Sequence, residues 1–122
     1  MNKSVQELIG VLFAARDFAH SKHLNAKSYS EHKALGKFYE ELIELVDQLA
    51  EAWQGKNLML IGEIKCYQVD FKQESVKGLR TFLDAVENYR KPVTMGCSPL
   101  NNIYDTIEET FLSAIYKLTF LK

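Results

Sequence analysis

One long stripe of apolar residues constrains the fold of this chain more than any other feature. The stripe follows a seven-residue rhythm, which is typical of an amphipathic helix that buries one face. Ser28 and Glu31 precede it at the spacing of a capping box, and Gly55 follows it. The sequence therefore predicts a second helix from Ser28 to Gly55, with an inward face formed by Leu35, Phe38, Leu42, Val46, Leu49 and Trp53.

Similar periodicity predicts a first helix before this stripe and a third after it. The first begins at Ser4, with Glu7 as its capping partner, and ends at about His23. The third runs from about Phe71 to Arg90. It is predicted to end there because Pro92 disfavours helical geometry in the residue before it. Between the second and third helices, helical rhythm is lost around Leu58 to Ile61, which predicts a connection lying across the bundle.

A fourth helix is predicted from the cap Ser98, with Pro99 at the first helical position, to the end of the sequence. Four amphipathic helices in one short chain favour an all-α fold. We therefore expect one domain, residues 1–122, folded as a four-helix bundle with a longer connection between helices two and three. The inward positions of helices one, three and four are predicted to be Val5, Leu8, Ile9, Leu12, Arg16, Ala19, Val76, Leu79, Leu83, Val86, Leu100, Ile103, Ile107, Phe111, Ala114 and Leu118.

Charge and composition exclude several classes of function. Fifteen basic and sixteen acidic residues leave a formal charge of −1, so no net field attracts a polyanion. No apolar run, Leu58 to Ile61 included, approaches the roughly 20 residues of a membrane helix. The start Met1 to Ser4 is polar and unlike a signal peptide. Cys66 and Cys97 lack the close spacing of a zinc or redox pair, so we expect a cytoplasmic protein with free thiols.

The histidines are the most suggestive chemical feature. His20, His23 and His32 fall within thirteen residues, and Asp47 and Glu51 follow at i and i+4 on the second helix. Imidazoles with carboxylates suit iron, manganese or zinc. The alternative is that these side chains belong to solvated helix faces, with a histidine near a helix end binding the last carbonyls.

Helix geometry restricts how such a site could form. Asp47 lies fifteen residues beyond His32 on one helix, which is about 22 Å at 1.5 Å per residue. One chain therefore cannot bring both side chains to one metal ion. A shared site requires a second copy running antiparallel, and hence a two-fold dimer. An intrachain di-iron bundle is disfavoured because its Glu-x-x-His motifs are absent.

The spacing His20, His32, Asp47 and Glu51, with the segment Asp47-Gln48-Leu49-Ala50-Glu51, resembles the Dps family of ferritin-like mini-shells. The resemblance covers about residues 8 to 55 and implies a ferritin-like bundle. It also implies a ferroxidase site in which His20 and His32 come from one subunit, and Asp47 and Glu51 from its partner, as catalytic residues and metal ligands. Fe(II) would be oxidised there by peroxide or oxygen within a shell of twelve subunits. The chain also resembles, more weakly, short ferritin-like proteins of some tailed phages.

The sequence departs from the Dps pattern at several points. Gly36 stands where the family has an aspartate ligand, and we expect His23 either to compensate as a metal ligand or to play a structural role. Only three residues precede the first predicted helix, so we expect no lysine-bearing tail of the kind that DNA-binding members of the family use. DNA binding would therefore need an assembled surface, for which the candidate residues are Lys22, Lys27, Lys33 and Lys37.

Two functions remain open on the sequence. The first is an iron-binding protein that oxidises and sequesters Fe(II) at a two-fold interface, with further acids available at Glu40, Glu44, Glu108 and Glu109. The alternative is a bundle without efficient metal chemistry that acts as a structural or protein-interaction oligomer. In that case Leu58 to Ile61, Tyr29, Tyr39 and Tyr67 would pack against subunits or partners.

Overall fold

The structure is a computed structural model, and it describes residues 2–122. Within this range the regular secondary structure is entirely helical. The expectation of an all-α fold is confirmed. The five helices are α1 (Asn2–Leu24), α2 (Tyr29–Asn57), α3 (Ser75–Asn88), α4 (Arg90–Thr94) and α5 (Ser98–Phe120).

The four long helices pack in a ring, in the order α1, α2, α5, α3 and back to α1. A tight turn joins α1 to α2, so these two helices are antiparallel. The start of α3 packs against the end of α1, where Gly78 meets Phe18, and the residue that ends α3, Tyr89, hydrogen-bonds Glu7 near the start of α1. Helices α1 and α5 therefore run in one direction, and α2 and α3 in the other.

A long connection, residues 58–74 and called the crossover below, joins the end of α2 to the start of α3. Gln6 Nε2 and Asn2 Nδ2 donate to the carbonyl of Ile61, at 2.7 and 3.3 Å. Farther along, Lys65 N donates to the carbonyl of Gln6 at 3.3 Å. The crossover thus returns along α1. It contains no regular helix or strand, and Ile61 is its one fully buried apolar residue.

Helix α1 is consequently enclosed on several sides. Its buried residues are Val5, Leu8, Ile9, Gly10, Val11, Leu12, Ala14, Ala15, Phe18 and Ala19, a wider face than the predicted stripe. Arg16, predicted to point inward, is half-buried and lies 4.7 Å from the ring centroid of Phe13. Gly10 is needed because a Cβ there would come within 1.7 Å of the Lys65 carbonyl oxygen.

Several predicted helix boundaries were wrong. Helix α1 begins at Asn2, before the predicted cap Ser4, because its first turn is hydrogen-bonded to the crossover. The prediction for Met1 lies outside the described residues. Helix α2 is capped by Ser28 as predicted, with Glu31 N donating to Ser28 Oγ at 3.1 Å, but it continues past Gly55 to Asn57.

The third predicted helix is shorter than expected. Helix α3 begins after Glu74, whose carboxylate accepts from Lys77 N at 2.8 Å, and it ends at Asn88. Pro92 does not terminate the helical segment, since it lies within the short helix α4. The last helix includes Ser98, and the residue at its cap is Cys97.

Among residues 2–122, no helix combines the length and the apolar character needed to cross a bilayer.

The contact between α1 and α3 provides a test of the packing. A Cβ on Gly78 would lie 2.3 Å from Phe18 Cζ, in a region where the Phe18 ring is fully buried and packs against Phe82. We predict that Gly78→Ala lowers the free energy of unfolding by about 1–3 kcal/mol, measured by urea denaturation. The control Gly55→Ala meets open space within α2 and should raise it by about 0.5–1 kcal/mol. Equal effects of the two substitutions would contradict this packing.

Candidate functional site

Two of the predicted site residues clasp the ends of α1 and α2 together. His23 Nδ1 donates to the carbonyl of His32 at 2.6 Å, and His32 Nδ1 donates to the carbonyl of His23 at 3.0 Å. The two rings stack with centroids 3.7 Å apart. A carbonyl oxygen can only accept, so each ring carries a proton on Nδ1. This pair, called the histidine clasp, gives His23 the structural role that was one of its two predicted alternatives.

Gly36 is explained by the clasp. A Cβ at this position would lie 2.9 Å from His23 Cε1 and 3.0 Å from His23 Nδ1. The position where the Dps pattern has an aspartate is therefore occupied by the His23 ring, and a carboxylate side chain does not fit there. Since Gly36 has no side chain, it contributes no ligand.

The remaining predicted ligands lie apart from the clasp. The exposed His20 ring stacks on Tyr39 at 4.4 Å, with the His23 ring 6.2 Å away. Asp47 and Glu51 are exposed on α2, fifteen and nineteen residues beyond His32. Within residues 2–122, no three histidine, cysteine, aspartate or glutamate side chains are placed to hold one metal ion. The predicted set does not fit a metal within one chain.

An open pocket of about 730 Å³ lies beside the clasp, between the start of α2 and the end of α5. Its walls include both clasp histidines, the ring of Tyr29 and three lysines, Lys33, Lys37 and Lys117. We call it the lysine pocket. Glu40 is its single acidic lining residue.

The four lysines named as candidates for an assembled DNA-binding surface do not form one patch within the chain. Lys33 and Lys37 line the lysine pocket. Lys22 lines a separate crevice with Glu31 and Glu74, and Lys27 is exposed in the turn between α1 and α2. The structure therefore places only Lys33 and Lys37 together.

The acids predicted to be available for iron are also dispersed. Glu40, Glu44 and Glu109 are exposed. Glu108 is half-buried between α3 and α5, with its Oε2 atom 3.2 Å from Arg90 Nη2. Burial, followed by the neighbouring Glu87 carboxylate, raises the pKa of Glu108 to about 7, while Arg90 opposes this shift.

The apolar residues predicted to contact partners differ in exposure. On the crossover, Leu58 and Leu60 are 89% and 78% exposed, whereas Ile61 is buried. Tyr29 is exposed at the rim of the lysine pocket. Tyr39 packs on His20, and Tyr67 lies 5.9 Å from Phe82 between ring centroids.

One apolar surface was missed by the sequence reasoning. Leu112, Tyr116 and Phe120 are 54%, 53% and 73% exposed on α5, and the last two rings lie 5.7 Å apart. Their spacing of four residues places them on one face, which we call the α5 ridge. The same spacing is present in the sequence, but only the apolar stripe that forms the core was assigned for this helix.

Comparison with known proteins identifies a family. Residues 23–118 match the model of a family of unknown function, DUF5856. The chain belongs to the DUF5856 family. This finding corrects the resemblance to Dps, because neither that family nor another ferritin-like family is indicated for the chain. The spacing of His20, His32, Asp47 and Glu51, which suggested Dps, is thus present in a chain of a different family.

This DUF5856 protein also has a relative in a phage. Over 49 residues it is 41% identical to an uncharacterized 14.6 kDa protein in the mobD-ri intergenic region of Enterobacteria phage T4. The matched segment covers 40% of this chain and 38% of the phage protein, well under two thirds of that relative. No solved structure matches the chain significantly.

The fit between Gly36 and the clasp can be tested with a double-mutant cycle. We predict that Gly36→Ala destabilises the protein by about 1–3 kcal/mol, because the added methyl group overlaps the His23 ring. In the background His23→Ala the overlap is gone, so the same substitution should be neutral or stabilising. Thermal and urea unfolding of the four proteins give the coupling energy, expected at about 1–3 kcal/mol. Equal costs in both backgrounds would show that the ring does not occupy this space.

Proposed function

We propose that this DUF5856 protein acts as a self-associating helical interaction module, with the α5 ridge as its contact surface. The single observation that carries the proposal is the exposure of Leu112, Tyr116 and Phe120 by more than half on one helix face. Contiguous exposed apolar residues on a folded domain mark interaction sites. Tyrosine and phenylalanine are also enriched in the cores of protein interfaces.

A second copy of the chain is the partner that this surface fits best. If two α5 helices pair antiparallel with Tyr116 on the two-fold axis, Leu112 of each copy faces Phe120 of the other. A self-complementary surface of this kind suits an isologous dimer.

We also propose that the helices are connected as in a ferritin-like four-helix bundle. Two features support it. Neighbouring long helices are antiparallel throughout the ring, and a single long crossover joins the second to the third. Bundles with one long crossover have this connectivity. The proposal concerns architecture and implies no shared activity.

A second candidate function is binding of Fe(II) across a different interface, formed by the outer faces of α1 and α2. Two observations favour it. His20, Asp47 and Glu51 are exposed and therefore accessible to a second copy. The clasp uses Nδ1 of His32 as a hydrogen-bond donor to the His23 carbonyl, which leaves Nε2 as the nitrogen outside the clasp, the usual arrangement in ligating histidines. Under this second candidate function, the protein would sequester iron in the cytoplasm.

The two interfaces can be distinguished by mass. We predict that the wild-type protein elutes with twice the 14.0 kDa mass of one chain in size-exclusion chromatography with light scattering. Tyr116→Glu should give the monomer, because it places two negative charges opposite each other at the axis. The matched control Ile43→Glu changes an exposed residue on α2 and should leave the dimer intact.

The contrary pattern has a defined meaning. A dimer that survives Tyr116→Glu but is lost in Ile43→Glu would contradict the α5 ridge and favour the interface of the second candidate. A monomer at all concentrations tested would contradict both.

Iron binding has its own test. If the second candidate is right, anaerobic titration with Fe(II) followed by metal analysis should find about one tightly bound iron per chain. Asp47→Asn should weaken binding by at least tenfold through loss of a ligand, whereas the control Glu44→Gln, also exposed on α2, should not. Absence of stoichiometric iron, or equal losses in the two variants, would reject this function.

A further inference from the structure

We propose that the lysine pocket binds a small phosphate-bearing ligand with an aromatic or apolar part, such as a nucleoside diphosphate. The pocket is formed within one chain and does not depend on the α5 ridge. Its volume of about 730 Å³ lies within the range of pockets that enclose small organic ligands. This space is much larger than an inorganic ion needs.

The charges around the pocket select an anion. Lys33, Lys37 and Lys117 line it, with Glu40 as the single acid in the lining. Lys37 Nζ lies 3.8 Å from Glu41 Oε1, in a neighbouring crevice that Lys117 also lines, while Lys33 and Lys117 make no ion pair within residues 2–122. An ammonium group has three donors and no acceptor, so the lysines cannot satisfy one another. A group with several acceptor oxygens and negative charge can engage all three.

The rest of the wall is suited to a flat or apolar group. The ring of Tyr29 is 75% exposed at the rim, with Lys33 Nζ 5.8 Å from its centroid, and Leu121 lies on the α5 side. A tyrosine ring that is accessible on one face can stack with a nucleobase. Tyr29 and the lysines thus supply separate contacts for the two parts of the ligand.

The histidine clasp holds this arrangement in place. The reciprocal hydrogen bonds of His23 and His32 fix the start of α2 relative to α1, and both histidines line the pocket. Gly36 lines it too, and the absence of a side chain there leaves room for the His23 ring. A cation is an unsuitable occupant because the lining lysines would repel it.

Isothermal titration calorimetry with ADP, inorganic phosphate and adenosine, in metal-free buffer, tests the proposal. We expect ADP to bind more tightly than either fragment, and its affinity to fall as salt is raised. The double variant Lys37→Gln, Lys117→Gln should weaken ADP binding by at least about tenfold. The control Lys56→Gln, an exposed lysine at the other end of α2, should change it by less than about twofold.

Three results would overturn the proposal. The first is no detectable binding of ADP by the wild-type protein at millimolar concentration. The second is binding of adenosine as tight as that of ADP, because the lysines would then have no role. The third is an equal loss of affinity in Lys56→Gln, which would indicate diffuse charge attraction. Circular dichroism of each variant verifies that the exposed substitutions leave the fold intact.

Discussion

The path of the crossover along α1 is the constraint on which the rest of the structure depends. Helices α2 and α3 run in the same direction, so the chain must return by the full length of the bundle before α3 can begin. Bonds from Gln6 and Asn2 to Ile61 fix the start of this return, and Gly10 lets the backbone at Lys65 approach α1 closely. The crossover therefore covers α1, which becomes the most enclosed helix.

Helix α5, in contrast, is left uncovered on its outer side. This helix packs against α2 and α3 on its inner side, and no long segment of residues 2–122 returns over its outer side. Leu112, Tyr116 and Phe120 are left uncovered there. Because the crossover covers α1 and leaves α5 uncovered, self-association is placed on α5. The lysine pocket is likewise left open where α2 and α5 meet.

Local sequence signals predicted much of the fold. All six stripe residues of α2 are buried, and Ser28 caps this helix as expected, because both features depend on residues close in sequence. The start of α1 could not be read in this way, since it is fixed by hydrogen bonds to a residue nearly sixty positions later. Glycine weakens an isolated helix, but Gly78 in α3 permits the close contact with Phe18, which depends on a different helix.

The candidate site was predictable only in part. Spacing alone could not distinguish metal ligands from the hydrogen-bonded clasp of His23 and His32. Glycine is needed at position 36 because the His23 ring of α1 lies against it. The periodicity of one helix cannot reveal such a contact with another helix. The lysine pocket likewise joins Lys33 and Lys37 to Lys117, about eighty residues away in the chain.

Site-directed disulfide crosslinking at the proposed two-fold axis tests the central claim most directly. In a background with Cys66→Ser and Cys97→Ser, Tyr116→Cys places one thiol of each copy at the axis, and Ile43→Cys provides the comparison on α2. The account predicts rapid formation of a crosslinked dimer under mild oxidation for Tyr116→Cys and little for Ile43→Cys. Efficient crosslinking at Ile43→Cys with none at Tyr116→Cys would contradict association through the α5 ridge.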